Sequence, residues 1–395
     1  VRSWWLASSN ASTSSEELRS SDIHAVYVAL LQREPSSQEV ELWLGAQSLS
    51  EFLAGVLASE EYRALISRPD PSADHEPVYL NCWIDAWEQF SRPPGQISTD
   101  GVVMVGRSGH LFIHGGTNDN VALQRGEVDL PDRWIEEWQT LVEDRLTYAE
   151  RTGRQLVCLI VPEKLVVYAD RYPHELVPVA PRPVLRLLGE GGLPLLYPVD
   201  HLVEARQSGE AYLFTDSHLT PMGNRVLASA IVERLGASSA LLPRIPDSHN
   251  PHLGAGDMGL HFDPPIAEVM QPLVGLSQAE IISDNWQEIA ALGAHVGIVR
   301  IFHRKDAPDN RTVVIFGDSY AFGGEAYQGL AWFLAQIFRE VHFIWAPFGW
   351  DPDYLERVGA ECVICECAER FTRRVPDKSM NVEALAQETI SKYRS

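Results

Sequence analysis

Thr312-Val313-Val314-Ile315-Phe316-Gly317-Asp318-Ser319-Tyr320 is the stretch on which the fold turns. Thr312 to Phe316 is an unbroken β-branched and apolar run, as expected of a strand buried on both faces in a parallel sheet. Gly317-Asp318 breaks the run, and a helical pattern follows around Glu325–Arg339. Ser319 therefore stands at the carboxyl end of a strand, where open α/β sheets place their active sites. On such a turn its hydroxyl is exposed and its backbone N–H is free to face an oxyanion. A Gly-Asp-Ser triplet alone is weak, arising by chance in about one chain of this length in ten. As a plain turn, its Asp and Ser would satisfy backbone groups.

Outward from this strand, Gln155–Val161 is a second fully apolar run, ended by Pro162. Leu195–Val199, Val341–Trp345 and Cys362–Glu366 are further strand candidates. Gly101–Val105 and His110–Ile113 flank Gly106-Arg107-Ser108-Gly109, a hairpin turn signal. Between the strands lie helical patterns. Pro131 opens one that places Trp134, Trp138, Leu141 and Tyr148 on one face, and Pro221 to Leu235 is another. Strands alternating with helices predict a mostly parallel-sheet α/β/α sandwich over residues 77–380. The stretch from Ser238 to Val296, rich in Pro, Gly, His and Asp, is expected to be an insertion of loops rather than sheet.

Residues 1–21, rich in Ser, Asn and Thr, are expected to be a flexible tail. Residues 22–70 predict a small all-α module of about three helices, too short for a large core of its own. Ile23, Val26, Tyr27, Leu30 and Leu31 recur at helical spacing. Pro35-Ser36-Ser37 breaks that run and can cap the next helix, which carries Val40 and Trp43. Pro69-Asp70-Pro71-Ser72 is a linker signal, and residues 381–395 are a C-terminal helix or tail.

The chain has 395 residues and a formal charge of −22, which repels nucleic acid and anionic membranes. The basic clusters are short: Arg300 to Lys305, and Arg370 with Arg373 and Arg374. Nucleic acid is therefore not an expected partner. No apolar run reaches the roughly 18 residues of a membrane span. Of the five cysteines, Cys158, Cys362 and Cys365 sit in strand-like runs, where Cys behaves as a small hydrophobe. Cys362, Cys365 and Cys367 crowd together, yet no second ligand cluster at zinc-site spacing accompanies them. Cys82 completes the set. This usage leans towards a reducing compartment, as does the absence of a signal-peptide pattern after Val1-Arg2-Ser3-Trp4-Trp5.

A second group of residues bears on chemistry: Phe214-Thr215-Asp216-Ser217-His218-Leu219-Thr220-Pro221. Thr220 before Pro221 is a good N-cap. If the residues before it are extended, Asp216 and His218 point to the same side. The carboxylate would then fix the imidazole as the tautomer whose other nitrogen is free to act as a base for a serine. The bland alternative is a polar loop with a surface histidine. Taken with Ser319, the pair supplies the minimum set for acyl transfer. Ser319 N–H would be one oxyanion donor, with Asn118 and Tyr320 as candidates for a second; one such donor is worth about 10²–10³ in rate. Trp345 and Trp350 are candidate sugar-stacking side chains, although aromatics at strand ends are more often core. His110 and His114 could join Asp216 and His218 at a metal, but nothing sets their spacing, so no metal and no cofactor are expected. Gly254-Ala255-Gly256 lacks the strand and helix of a dinucleotide loop.

From about Pro77 to Arg374 the chain resembles the SGNH-hydrolase-like domain of the alginate O-acetyltransferase group of bacterial polysaccharide acetylation proteins. The similarity runs in order through Gly106–Phe112, Val161-Pro162-Glu163-Lys164 with Tyr168-Ala169-Asp170 and Pro173, Thr215–Gly223, Gly256-Asp257-Met258-Gly259, Gly317-Asp318-Ser319, and Val363-Ile364-Cys365-Glu366 with Glu369-Arg370. Asp216 and His218 precede Ser319, as in that group and unlike common SGNH esterases. The resemblance implies Ser319 as nucleophile, His218 as base and Asp216 as its orienter. It implies a glycan acceptor, an acetyl donor supplied by a membrane acyltransferase, and work outside the cytoplasm. Leu219 departs from the tryptophan many members carry there, and no carbohydrate-binding β domain is expected from residues 381–395. Residues around Leu31-x-Arg33-Glu34-Pro35, Trp43 and Ser59-Glu60-Glu61-Tyr62 resemble a small helical module of bacterial glycan-related proteins. Three readings follow: glycan O-acetylation, ester hydrolysis by the same residues, and a silent glycan-binding scaffold.

Overall fold

The computed structural model describes residues 35–44, 92–244, 252–270, 277–322 and 329–394, together with Ile23, Tyr27 and Val56. The chain divides into two compact units, one of Val1–Pro93 with Ile266–Glu268 and one of Pro94–Pro265 with Val269–Ser395. Most of the predicted N-terminal module, its tail and Cys82 lie outside the described residues. Within the first unit, Ser37–Leu44 is a helix. Ser36 and Glu39 exchange side-chain-to-backbone hydrogen bonds of 3.3 and 2.7 Å, a capping box that starts this helix where Pro35-Ser36 predicts.

The second unit is built on a six-stranded sheet of order β3-β10-β8-β9-β7-β6. Its strands are β3 (Gln155–Val161), β6 (Glu280–Asp284), β7 (Val299–His303), β8 (Asp309–Gly317), β9 (Phe338–Trp345) and β10 (Cys362–Ala368). β3, β10, β8 and β9 run parallel; β7 and β6 add on antiparallel. The expected hairpin forms from β1 (Val103–Val105) and β2 (Leu111–Ile113). A further ribbon joins β4 (His252–Gly254) and β5 (Glu268–Met270).

Alternation splits each apolar run between two cores. Val157, Leu159, Val313, Ile315, Phe343 and Ile364 face helices Pro221–Arg234 and Leu330–Ala335. Cys158, Ile160, Val314, Phe316, Val363 and Cys365 face Trp134, Trp138, Leu141 and Val142 of helix Trp134–Thr152. This is the predicted α/β/α sandwich. The four described cysteines are buried strand residues with free thiols.

Three expectations are corrected. Leu195–Val199 is not a strand: Leu196 makes a single parallel bridge to Leu159. Pro194 and Pro198 flank it and have no N–H to extend the ladder. The stretch 238–296 contains a sheet strand after all, β6. Its Glu-Ile-Ile-Ser-Asp sequence hides the period because the register shifts between Ile281 and Ser283. The described helix near 325–339 covers Leu330–Ala335, and Phe338 already begins β9. Near the end of the chain, Val382–Arg394 is a helix.

Candidate active site

Asp216, Ser217 and His218 occupy a closed loop. Tyr212 and Leu219 bridge antiparallel across its neck. Leu213 N donates to His218 O at 3.1 Å, and Thr220 N to Ala211 O at 3.0 Å. Thr220 caps helix Pro221–Arg234 as its sequence predicts, with Oγ1 accepting from Gly223 N at 3.2 Å. From beneath, the buried ammonium of Lys164 donates to the carbonyls of Leu213 (2.5 Å), Phe214 (2.7 Å) and Asp216 (3.2 Å). Lys164 stands just past β3, so a strand end of the sheet grips the loop directly.

Asp216 and His218 do point to the same side. Asp216 Oδ1 lies 2.6 Å from His218 Nδ1 and accepts His218 N at 2.8 Å. Asp216 Oδ2 accepts the backbone N–H of Asp257 at 3.0 Å. Burial opposes charge on both groups, but each outweighs it for the other. The imidazolium pulls the Asp216 carboxyl below its ordinary range, and the carboxylate pushes His218 above its own. With Nδ1–H engaged by Asp216, Nε2 is the basic nitrogen of the neutral ring.

Asp257 is a residue whose part the sequence did not disclose. Its carboxylate accepts from Ser217 N (2.7 Å) and Ser217 Oγ (2.5 Å), and lies 3.9 Å from His218 Nδ1. Gly256 lets it come so close. A Cβ there would collide with Asp216 Cβ and stand 2.6 Å from Thr215 O. The Gly-Asp pair was visible only as part of a family likeness, because it lies 40 residues away in a loop without periodicity.

Ser319 stands at the start of the short helix Ser319–Phe322, partly buried, just beyond β8. The turn that carries it is pinned by Asp318. Asp318 Oδ1 accepts Tyr320 N at 2.9 Å and Oδ2 accepts Ala368 N at 2.8 Å, while Asp318 N donates to Glu366 Oε2 at 2.9 Å. Ala321 N and Phe322 N also donate to Asp318 O, at 3.2 and 3.1 Å, and among the described residues no hydrogen bond joins the Ser319 side chain to His218. Tyr320 connects the turn to the histidine loop. Its hydroxyl donates to Ser217 O at 2.8 Å, and its ring lies 5.1 Å from the His218 ring.

A buried polar network supports this junction. Glu163 accepts from Asn120 Nδ2 (2.8 Å), Arg370 Nη1 (2.9 Å) and Arg370 N (3.2 Å). Arg370 lies 5.6 Å from the Tyr320 ring centroid. Glu369 accepts from Glu163 N (3.2 Å), Arg182 Nη1 (2.9 Å) and Tyr197 OH (2.7 Å). These acids have charged or hydroxyl donors, as buried carboxylates require.

Other expected residues are placed variously. Trp345 ends β9 in register with Gly317, beside the Ser319 turn, and stacks on His295 at 5.0 Å. Trp350 belongs to the core on the opposite face, packed edge-on against Tyr148, so the two tryptophans form no common wall. Asn118 ends the 3₁₀ turn Gly116–Asn118, with no hydrogen bond to Asp216, His218 or Ser319 among the described residues. His110 is buried against Tyr168 and Phe214, where burial lowers its pKa, and His114 Nδ1 meets Tyr172 OH at 2.7 Å. Neither joins the loop histidine. Among the described residues, Asp216, His218 and Asp257 bring ligand-type atoms within 4.8 Å of one another. The Asp216 oxygens are already occupied by backbone N–H groups and the imidazole, an arrangement suited to orienting a base.

The unit is an α/β/α sandwich with Ser319 after the central strand β8 and an Asp-x-His loop that Tyr320 joins to its turn. Residues 103–249 match the family model of the SGNH hydrolase-like domain of the acetyltransferase AlgX. The matched segment includes Asp216 and His218 and stops short of Ser319. Over residues 103–249 the chain is thus similar to the SGNH hydrolase-like domain of that acetyltransferase family. Among solved structures, the O-acetyltransferase domain of Pseudomonas putida AlgJ is 20% identical, with 73% of this chain and 99% of that chain covered and a TM-score of 0.43. Bacillus cereus PatB1 with a sulfonyl adduct is 14% identical, with 72% and 98% covered and a TM-score of 0.47. Pseudomonas aeruginosa AlgX is 13% identical, with 73% and 65% covered and a TM-score of 0.37. No curated protein matches the chain.

Proposed function

We propose that this protein transfers an acetyl group to a hydroxyl of a glycan through an acetyl-Ser319 intermediate. The observation that carries the reading is the 2.6 Å contact of Asp216 Oδ1 with His218 Nδ1, on a loop that Tyr320 joins to the Ser319 turn. In the proposed path, His218 Nε2 takes the Ser319 proton as Oγ attacks the acetyl donor, and returns a proton to the leaving group. In the second half, the same nitrogen deprotonates the sugar hydroxyl that attacks the acetyl-serine. Ser319 N–H, at the start of its helix, is one oxyanion donor. Trp345 beside the turn is the proposed sugar-facing aromatic. A membrane acyltransferase is the proposed source of the acetyl group, and the proposed setting is outside the cytoplasm, as the family likeness implies.

Incubation with p-nitrophenyl acetate and intact-protein mass spectrometry tests the reading. Wild type should gain one acetyl group and release nitrophenol; Ser319→Ala should do neither. Turnover retained by Ser319→Ala would sink it. Adding oligosaccharides then separates transfer from hydrolysis, because only a transferase moves the acetyl group to sugar. A folded wild type with no adduct would favour the glycan-binding scaffold.

A further inference from the structure

Strand β10 has a carboxylic acid where its alternation calls for a hydrocarbon. Cys362, Ile364 and Ala368 face one apolar core, shared with Tyr320 and Ala321, and Glu366 takes the position between Ile364 and Ala368. Its side chain is fully buried. Oε2 accepts the Asp318 N–H at 2.9 Å, and Oε1 meets no hydrogen-bond donor among the described residues. The carboxyl also occupies the space that a side chain at Gly317 would fill, since a Cβ there would collide with Oε2. Burying an acid here costs desolvation that a Met of similar size would avoid, and what the acid supplies in return is an acceptor for the Asp318 N–H of the serine turn.

We propose that Glu366 is a positioning residue for Ser319: seated against Gly317 and holding the Asp318 N–H, it sets the turn that presents the hydroxyl, and it does so as a neutral acid. This inference rests on Ser319 being the nucleophile. Two carboxylates cannot share this dry space cheaply, and Asp318 has both oxygens committed to the N–H groups of Tyr320 and Ala368. Burial first, and the nearby Asp318 charge second, push Glu366 well above the ordinary carboxyl range. The ionisable groups facing Glu366 are Asp318 on the serine turn, Arg370 beyond the end of β10, and Cys367 next along the strand. Arg370 favours the ionised form, but its guanidinium is already bonded to Glu163. When Glu366 loses its proton to solvent at high pH, repulsion from Asp318 displaces the turn. Misplacement of a reacting group by about 1 Å costs on the order of a hundredfold in rate.

The test compares wild type, Glu366→Gln and Glu366→Met in their reaction with phenylmethylsulfonyl fluoride between about pH 6 and 10. In this reaction the Ser319 Oγ–S bond forms as S–F breaks, fluoride leaves and His218 takes the proton. Labelling at Ser319 is read by mass spectrometry. Wild-type labelling should rise with pH as His218 becomes neutral and then fall as Glu366 ionises. Glu366→Gln, which keeps the acceptor and has no proton to lose, should rise and stay high. Glu366→Met, which lacks the acceptor, should label at least about tenfold more slowly at neutral pH. If Glu366→Met does not fold, the comparison of wild type with Glu366→Gln decides. A wild-type profile without the alkaline fall, the same fall in Glu366→Gln, or full-speed labelling of a folded Glu366→Met each overturns the proposal. A wild type that does not label at Ser319 overturns the nucleophile reading itself, a different failure and one that takes this proposal with it.

Discussion

Replacing Lys164 by Met removes one ammonium and keeps the stem that packs beneath the histidine loop. Its Nζ reaches three carbonyls, those of Leu213, Phe214 and Asp216. Phe214 O keeps a second donor, Leu111 N at 2.8 Å. Leu213 O and Asp216 O have no other donor among the described residues. Each buried carbonyl left without a donor costs about 1–3 kcal/mol, so Lys164→Met should lose about 2–6 kcal/mol. For a unit of about 300 residues that is a fall in Tm of about 3–10 °C. The loop that carries Asp216 and His218 should loosen before the sheet does, so the rate of Ser319 acetylation should fall at temperatures where the variant is fully folded. Differential scanning calorimetry and the p-nitrophenyl acetate assay below the transition measure the two effects. A Tm within about 2 °C of wild type, with an unchanged rate, would refute the claim that this ammonium holds the loop.

Asp216→Asn should lower activity by about 10²–10⁴, because the amide no longer selects the productive tautomer. The base must be neutral to act, and Asp216 raises the His218 pKa. Wild-type kcat/KM should therefore rise with pH through a midpoint above the ordinary imidazole value of about 6.5. Whatever activity Asp216→Asn retains should rise through a lower midpoint, and an unshifted acid limb would mean that another residue orients His218. Gly256→Ala should drive the middle loop off Asp216, carry the Asp257 carboxylate away from His218 and so lower that midpoint too, with about 1–3 kcal/mol lost in urea unfolding. A variant with wild-type stability and pH profile would show that the loop has room to move.

The strands most buried in the sheet were the easiest to read. Gln155–Val161 and Thr312–Phe316 are apolar without interruption because both of their faces are covered. The Asp-x-His pair was readable because Thr220-Pro221 marks a helix start and extended residues two apart share a side. The antiparallel edge was not readable. β6 carries five exposed side chains, and neither its bulge nor the mixed surface of β7 leaves a clean alternation. Within the site, the residues that act through others were marked only as parts of family-like motifs, with no role attached. Lys164, Asp257 and Glu366 each sit in a local sequence with an ordinary explanation, and only their positions across the fold show what they hold. Tyr320 was marked as an oxyanion candidate, yet its hydroxyl is engaged by Ser217 O.

β10 is the last strand in the chain, yet it lies between β3 and β8. During synthesis, β3 and β8 would emerge with the edges that should meet β10 still bare. The Ser319 turn would lack the Glu366 carboxyl and the Ala368 N–H that pin it. Pairings between strands so far apart in sequence form slowly. The Ser319 turn is therefore completed only once β10 has entered between β3 and β8. A chain cut before Cys362 should yield no partly active fragment, because β3 is then cut off from the four-stranded β8-β9-β7-β6 sheet and both are left with bare edges prone to aggregate.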